Sequence, residues 1–241
     1  MKTDGSSRLG YASAIPPRLG RHPGALPAET LSAFAQVDVT DIADAVGRLY
    51  TMSTTLRPLH SEMRRVLGTA LTAKAVPGDN FTVHGALSLA EPGMVLVVDW
   101  RSTTEACGAG AIVLAPAVMR GLAGIVIDGA WRDIEDVQQL GLPIIGTGIA
   151  AHSPPKAAVG EINVPVSCGG VVVEPGDLVV GDATGTVVVP RAYVDRVAKA
   201  LAEKARSVPA SEMPPEEAAR IASRVSSRFW EEFDRSQGER A

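Results

Sequence analysis

One ten-residue segment, residues 124–133 (GIVIDGAWRD), constrains the fold more than any other stretch of the chain. Its apolar start is typical of a short buried strand, and Asp128-Gly129 predicts the turn that ends this strand. Arg132 and Asp133 follow in the next turn. The segment therefore predicts a core strand that delivers a cation and an anion side by side.

The Arg132-Asp133 pair is the best indication of chemistry in the sequence. An arginine can hold a carboxylate through two parallel hydrogen bonds, and an aspartate can bind a hard divalent cation. Together they could bind and polarise a small oxo-acid. Taken alone, such a pair is more often an aspartate at a helix start beside a surface arginine.

Strand and helix patterns alternate along the rest of the chain. The strands are predicted at residues 66–76, 94–99, 142–145, 162–166, 171–173, 178–180 and 186–189, and the helices begin after the N-cap Thr40, after Asn80, at Cys107, at Ile134, at Val194 and after Pro215. We expect residues 1–27 to form an extended or disordered arm, residues 28–207 the main domain, and residues 208–241 a helical extension that packs on the core or on another subunit.

Composition excludes several classes of protein. The net charge is -4, with 23 Lys and Arg against 27 Asp and Glu, so no global basic field attracts nucleic acid or an anionic membrane. The two cysteines, Cys107 and Cys168, have no C-x-x-C spacing, which argues against a zinc site or a disulfide framework. The apolar run at residues 111–119 is far shorter than the roughly 20 residues of a membrane span, and we expect a cytoplasmic protein.

Glycine and histidine patterns add little specific chemistry. Gly108-Ala109-Gly110 lacks the full G-x-G-x-x-G spacing of a dinucleotide site, but it can begin a helix whose free amides receive a carboxylate. Of the four scattered histidines, His84 follows Asp79-Asn80 by one helical turn and could face the same cleft. A satisfied surface histidine is the more common alternative.

An ordered series of short motifs resembles the RraA-like family, which includes the 4-hydroxy-4-methyl-2-oxoglutarate/4-carboxy-4-hydroxy-2-oxoadipate aldolases. The series consists of Thr40-x-x-x-Asp44-Ala45-x-Gly47-Arg48, Arg57-Pro58-Leu59, Gly78-Asp79-Asn80 with His84, Glu91-Pro92-Gly93, residues 124–133, Leu140-Gly141-Leu142-Pro143 and Pro175-Gly176-Asp177-x-x-x-x-Asp182-x-x-Gly185. The resemblance spans about residues 31–205, and the series is far more specific than any one motif.

The resemblance implies an α/β fold, a single domain of the swivelling β/β/α type with C-terminal helices. It also implies homotrimers or homohexamers with active sites between subunits, and a divalent cation such as Mg²⁺ or Mn²⁺. In the aldolases, the residues that match Arg132 and Asp133 bind the oxo-acid and anchor the metal. The matching helix start offers backbone amides to the pyruvate carboxylate, here at Gly110, Ala111, Ile112 and Val113.

The implied reaction is carbon–carbon bond cleavage through a pyruvate enolate that a cation stabilises. Retro-aldol cleavage of a 4-hydroxy-2-oxo diacid and decarboxylation of oxaloacetate share this enolate, so one site could serve both. Two alternatives stay open: a non-catalytic regulator that docks on a ribonuclease, and a relative recruited to another enolisation, decarboxylation or cyclisation step.

The sequence departs from the family pattern at two places. The aldolases carry Asp or Glu twenty-one positions before the arginine, and this chain has Ala111 there. Trp100-Arg101 stands where most relatives have a glycine-rich loop. This is either simple loop drift or a remodelled pocket, in which Arg101 brings a second positive charge and Trp100 a flat wall for a larger or aromatic substrate. Glu105 is the nearest acid in sequence that could compensate for Ala111.

Overall fold

The computed structural model describes residues 15–60, 63–204 and 213–238, with side chains up to residue 235. The chain divides into two compact units, Met1–Leu201 and Ala202–Ala241.

Helices and strands alternate between Val66 and Leu140, and strands alone follow up to Val189, as the sequence predicts. In chain order the elements are α1 (Ala28–Ser32), α2 (Val39–Val46), β1 (Arg57–Pro58), β2 (Val66–Lys74), α3 (Phe81–Ser88), β3 (Met94–Ala109), α4 (Ala111–Met119), β4 (Gly124–Trp131), α5 (Ile134–Leu140), β5 (Ile144–Gly146), β6 (Gly148–Ile149), β7 (Glu161–Ile162), β8 (Val166–Cys168), β9 (Val171–Val173), β10 (Leu178–Gly181), β11 (Thr186–Val189), α6 (Val194–Lys204) and α7 (Pro215–Gly238). Single 3₁₀ turns lie at Arg48–Tyr50 and Arg191–Tyr193.

A mixed sheet forms the centre of the first unit. Its strands follow the order β1-β5-β4-β3-β2-β10-β11, with β6 added to β4 and β7 added to β2. The four neighbours β5, β4, β3 and β2 are parallel. β1 pairs antiparallel with β5, β10 pairs antiparallel with β2, and β11 pairs antiparallel with β10. This architecture confirms the predicted α/β class.

Both faces of the parallel strands are buried, which explains why these strands are continuous apolar runs. On one face, Leu96 and Ile127 pack against helices α3, α4 and α5. On the other face, Val97 and Val126 pack against the β8-β9 hairpin. A third cluster covers β10 and β11 with the apolar faces of α2 and α6.

The described part of the N-terminal arm is extended along β7. Backbone hydrogen bonds join Gly20 N–H to Ile162 O over 2.8 Å and Ile162 N–H to Arg18 O over 3.0 Å. The Arg18 guanidinium also contacts the Glu161 carboxylate at 2.7 Å. The described part of the arm therefore holds its place by strand-like pairing. Residues 1–14 lie outside the described part, and the extended or disordered arm at residues 1–27 stays a prediction.

The second unit contains one long amphipathic helix, α7. Its apolar side chains are exposed, and the aromatic rings of Phe229, Trp230 and Phe233 contact one another. The expectation that this helix packs on the core or on another subunit stays a prediction. Among the helices of the described residues, none combines the length and the apolar character of a transmembrane span.

Four local predictions are wrong. The strand predicted at residues 162–166 is interrupted, because bends at Asn163 and Val164 separate β7 from β8, which belong to different sheets. Helix α2 begins at Val39 with Asp38 as its N-cap, so Thr40 lies inside the first turn. Cys107 lies in β3, because that strand continues to Ala109 and α4 begins only after Gly110. Asp128-Gly129 makes no turn, because β4 continues to Trp131 in pairing with the extended β3.

Candidate active site

The ends of two neighbouring parallel strands bring the predicted site residues together. Ala109 at the end of β3 is paired in register with Trp131 at the end of β4. The Arg132 N–H then donates to Ala109 O at 3.1 Å. Gly110, which precedes α4, therefore lies against Arg132 and Asp133, which precede α5.

Asp133 connects the two helix starts. The residue is the N-cap of α5, with a left-handed backbone (φ 56°), but its side chain makes no capping bond to α5. Its Oδ2 instead accepts the Ala111 N–H of α4 at 3.2 Å and contacts Arg132 Nε at 3.4 Å. A carboxylate at a helix N-terminus is stabilised by the free amides and the helix dipole, so this contact fixes the turn.

The contact leaves no room for a side chain at position 110. A Cβ added to Gly110 would collide with Asp133 Oδ2 and would lie 2.9 Å from Arg132 Cγ. Glycine is therefore required by close approach at this position, whose φ is -151°.

The α4 N-terminus offers fewer free amides than the sequence predicts. The Ala111 N–H donates to Asp133, and the Val113 N–H donates to Gly110 O at 2.9 Å. Within the described residues, the Ile112 N–H has no hydrogen-bond acceptor. A ligand carboxylate therefore finds one open amide here, beside the guanidinium of Arg132.

A small cavity of about 40 Å³ lies next to this turn. Its lining brings residues from the α3 start, the β3 end, the α4 start and a distant loop together: Asn80, His84, Cys107, Ala109, Gly110, Ile112, Val113, Arg132, Ser153, Pro154 and Lys156. This volume accommodates a few water-sized groups.

Asp79 positions the distant loop against α3. Its Oδ1 accepts the Phe81 N–H at 2.9 Å, and its Oδ2 accepts the N–H groups of Ala157 and Ala158 at 2.8 and 3.0 Å. Asp79 is almost fully buried, so its bonds to these amides are worth more than they would be in water. These three hydrogen bonds, which we call the Asp79 clamp, hold Lys156 beside the first turn of α3.

Two polar atoms of the cavity are buried without partners. His84 Nε2 and Asn80 Oδ1 form no hydrogen bond within the described residues. Burial lowers the pKa of His84 below its ordinary value of 6.5, and the positive charge of Lys156 lowers this pKa further. Burial also raises the pKa of the Cys107 thiol, against a smaller opposing effect of Arg132, so Cys107 is a protonated thiol at neutral pH.

The structure places His84 in the same cleft as Asn80, which the sequence analysis named as the less common of two alternatives. Sequence reasoning missed Lys156 and Ser153, because they lie in a loop with no periodicity, and only the clamp by Asp79 brings them to the site. It assigned Cys107 to a helix, and the structure shows this residue at the end of a strand that faces the cavity.

The Trp100-Arg101 segment contributes to other parts of the molecule. The Trp100 ring is fully buried, its indole N–H donates to Val76 O at 2.7 Å, and it packs over Gly108 and Gly129. Trp100 is therefore a core residue and does not line the cavity.

Arg101 has a left-handed backbone (φ 53°) and lines a separate cleft with Lys74, away from the lining around Arg132. Glu105 is exposed and does not line the cavity.

A divalent cation would have one carboxylate at this site. The described residues contain no group of three or more His, Cys, Asp and Glu that could hold a metal. Asp133 Oδ1 has no hydrogen-bond donor within the same residues, and the side chain is one-third exposed. One carboxylate fits Mg²⁺, which usually keeps several waters and takes one or two carboxylates together with substrate oxygens.

Comparison with known proteins identifies the family. Residues 38–188 match the RraA-like family, described as Aldolase/RraA. The chain belongs to this family. A protein of Halalkalibacterium halodurans named "Putative 4-hydroxy-4-methyl-2-oxoglutarate aldolase" is 40% identical over 167 residues, which cover 69% of this chain and 79% of the relative.

Two solved structures of RraA proteins share the fold. RraAS2 of Streptomyces coelicolor, described as an unusual member of the RNase ES inhibitor RraA protein family, has a TM-score of 0.65 and 27% identity, with coverage of 87% of this chain and 97% of that chain. The RNA-processing inhibitor RraA of Thermus thermophilus has a TM-score of 0.58 and 26% identity, with coverage of 64% and 93%. The predicted family and fold are confirmed. The aldolase names of several relatives also bear out the expectation of a carbon–carbon lyase type of enzyme.

The close contact at Gly110 gives a test of this geometry. In Gly110→Ala the new methyl group collides with the Asp133 carboxylate, so we expect the free energy of unfolding to fall by about 1–3 kcal/mol in chemical denaturation. Gly185→Ala is the matched control, because its Cβ would meet no atom within 4 Å. Equal stabilities of the two variants would contradict the described contact.

Proposed function

We propose that this protein is a divalent-metal-dependent lyase that cleaves a small 2-oxo acid to a pyruvate enolate. The observation that carries the proposal is the meeting of Arg132 and Asp133 with the open amide of Ile112 at one turn. A cation, an anion and a helix N-terminus within one turn suit a substrate that carries a carboxylate beside a ketone.

Arg132 and the Ile112 N–H would bind the carboxylate next to the ketone. The guanidinium can donate two parallel hydrogen bonds, and the amide adds a third from a rigid helix. Holding the substrate in this way fixes the direction of the bond that breaks.

Asp133 would hold the metal, with the remaining ligands drawn from substrate and water. When bound there, a divalent cation supplies positive charge that stabilises the enolate oxygen. The aldolases among the relatives are of a type that generally depends on divalent metals, and Mg²⁺ or Mn²⁺ is the cation we expect.

The charges of the lining favour a diacid. Arg132 and Lys156 line the same cavity, and none of its lining residues is an acid. Two cations match the two carboxylates of a 4-hydroxy-2-oxo diacid or of oxaloacetate. We therefore propose retro-aldol cleavage or decarboxylation of such a compound as the reaction.

The site suits an oligomer. Ile112, at the start of α4, is 76% exposed beside the cavity, and Val118 and Met119 of the same helix are exposed as well. Several apolar side chains exposed on one helix are typical of a surface that another subunit covers. We propose a homotrimer or homohexamer with the active site between subunits.

The first test removes the two charged groups. With Mg²⁺ or Mn²⁺ present, we expect pyruvate release from oxaloacetate or from a 4-hydroxy-2-oxo diacid, measured by coupled reduction of pyruvate. Arg132→Ala and Asp133→Ala should each lower kcat/KM by at least about 10²-fold, the usual effect of losing a charge that stabilises the transition state.

Arg120→Ala and Asp195→Ala are the matched controls, because both side chains are exposed and distant from the lining of the cavity. A protein that binds metal but releases no pyruvate from a broad panel of oxo-acids would contradict the proposed function.

The second test restores the acid that the aldolases carry. In Ala111→Asp a second carboxylate joins Asp133, so calorimetric titration with Mg²⁺ in the presence of pyruvate should show at least tenfold tighter metal binding. Ala111→Asn is the control of equal size without the charge. Equal affinities for Ala111→Asp and Ala111→Asn would argue against metal binding at this turn.

A second candidate function is regulation of a ribonuclease by docking. Two observations favour it: the absence of an acid at Ala111, and the likeness to RraAS2, which is described as belonging to an RNase ES inhibitor family. The test is to measure the activity of a ribonuclease of this type in the presence of stoichiometric amounts of the chain. Inhibition that persists in Arg132→Ala and Asp133→Ala would support docking, because it would not involve the oxo-acid site.

A further inference from the structure

We propose that His84 transfers the proton in this site, with Asn80 holding the group that approaches it. The inference rests on the proposed lyase function and adds a catalytic residue to it. It begins from the two unpartnered atoms in the cavity, His84 Nε2 and Asn80 Oδ1.

These two atoms share one location for a structural reason. Asn80 is the N-cap residue of α3, and His84 lies one turn later, with its backbone N–H donating to Asn80 O at 3.2 Å. Residues four apart lie on one face of a helix, so both side chains line the same cavity. A buried polar atom without a partner destabilises the protein, and a bound hydroxyl or water would remove this cost.

Elimination among the lining residues leaves His84 as the base. The guanidinium of Arg132 and the ammonium of Lys156 have donors and no acceptor, and the Cys107 thiol is kept protonated by burial. Ser153 has only a hydroxyl, and no carboxylate lines the cavity. Within the described lining, His84 is the one group that exchanges a proton near neutral pH.

The electrostatic surroundings favour the neutral imidazole. Burial lowers the pKa of His84, and Lys156 across the cavity lowers it further. Arg132 adds a second positive charge to the same lining. The neutral imidazole is therefore the main form of His84 at neutral pH, and in the tautomer with its hydrogen on Nδ1 the Nε2 atom can accept a proton.

In retro-aldol cleavage, Nε2 takes the proton of the C4 hydroxyl while the C3–C4 bond breaks. The C4 oxygen becomes a carbonyl, and the electron pair of the broken bond enters the enolate of pyruvate. The imidazolium then returns the proton to C3 and forms the methyl group. The proton moves from one product to the other, and no further reactant is required.

The experiment measures the last step by itself. NMR follows the exchange of the pyruvate methyl protons for deuterium in D₂O with Mg²⁺ and the full-length protein. His84→Gln should lower this exchange rate by at least about 10²-fold, because proton transfer by a placed side chain contributes roughly 10²- to 10⁴-fold.

Oxalate, a planar mimic of the enolate, reports whether the site stays intact in the variant. Its dissociation constant should change by less than about threefold in His84→Gln, because Arg132 and the Ile112 N–H are kept. His152→Gln is the matched control: this histidine is exposed and lies outside the lining of the cavity.

The pH dependence separates proton transfer from a structural role. The exchange rate should fall as the pH drops through the pKa of His84, below 6.5, because the imidazolium cannot accept a proton. Lys156→Met removes the second cause of the lowered pKa of His84. The pH at which the exchange rate falls should therefore rise towards 6.5 without reaching it, because burial still lowers the pKa. Exogenous imidazole should partly restore exchange in His84→Ala.

Three outcomes decide between the two proposals. Exchange by the wild type that is lost in His84→Gln, with oxalate binding retained, supports the role of His84. Two results overturn this role and leave the lyase proposal standing. One is an equal exchange rate in both proteins, and the other is an acidic fall of the exchange rate that occurs at the same pH in Lys156→Met as in the wild type. A wild type that binds oxalate but neither exchanges nor cleaves overturns both.

Discussion

The contact between the Asp133 carboxylate and the backbone of Gly110 and Ala111 is the constraint on which the candidate site depends. It joins the ends of β3 and β4 to the starts of α4 and α5, so one side chain fixes four elements at once. The Arg132–Asp133 ion pair itself is partly exposed and worth little energy. The contact therefore acts by positioning. Asp133 accepts the Ala111 N–H, and Arg132 is held beside the open N–H of Ile112.

A second buried carboxylate completes the cavity from the opposite side. Asp79 has three backbone N–H groups around it, two of them from a loop almost eighty residues away in sequence. Because the clamp acts on backbone atoms, the loop can present Lys156 to the cavity whatever its neighbouring side chains are. Two aspartates thus set the geometry of the site, and only Asp133 also has a free oxygen for a cation.

The sequence predicted the elements well where the physical signal is local. Continuous apolar runs marked the buried strands at residues 94–99 and 125–128, and the four-residue spacing of Asn80 and His84 allowed one cleft for both as the less common alternative. Prediction from the sequence failed where hydrogen bonding between distant strands determines the secondary structure. Cys107 has a helix-like neighbourhood of small residues, but pairing with β4 keeps it in a strand. Trp100 is buried in the core, and Arg101, with its left-handed backbone, lines a separate cleft. The loop residue Lys156 gave no sequence signal at all.

The most direct measurement of the central claim is a crystal structure of the protein with oxalate and Mg²⁺. We predict one oxalate carboxylate within hydrogen-bond distance of the Ile112 N–H and the Arg132 guanidinium, with the cation on the free oxygen of Asp133. Oxalate bound only in the separate cleft between Lys74 and Arg101, with the turn at Arg132 and Asp133 unchanged and free of ligand, would contradict the account.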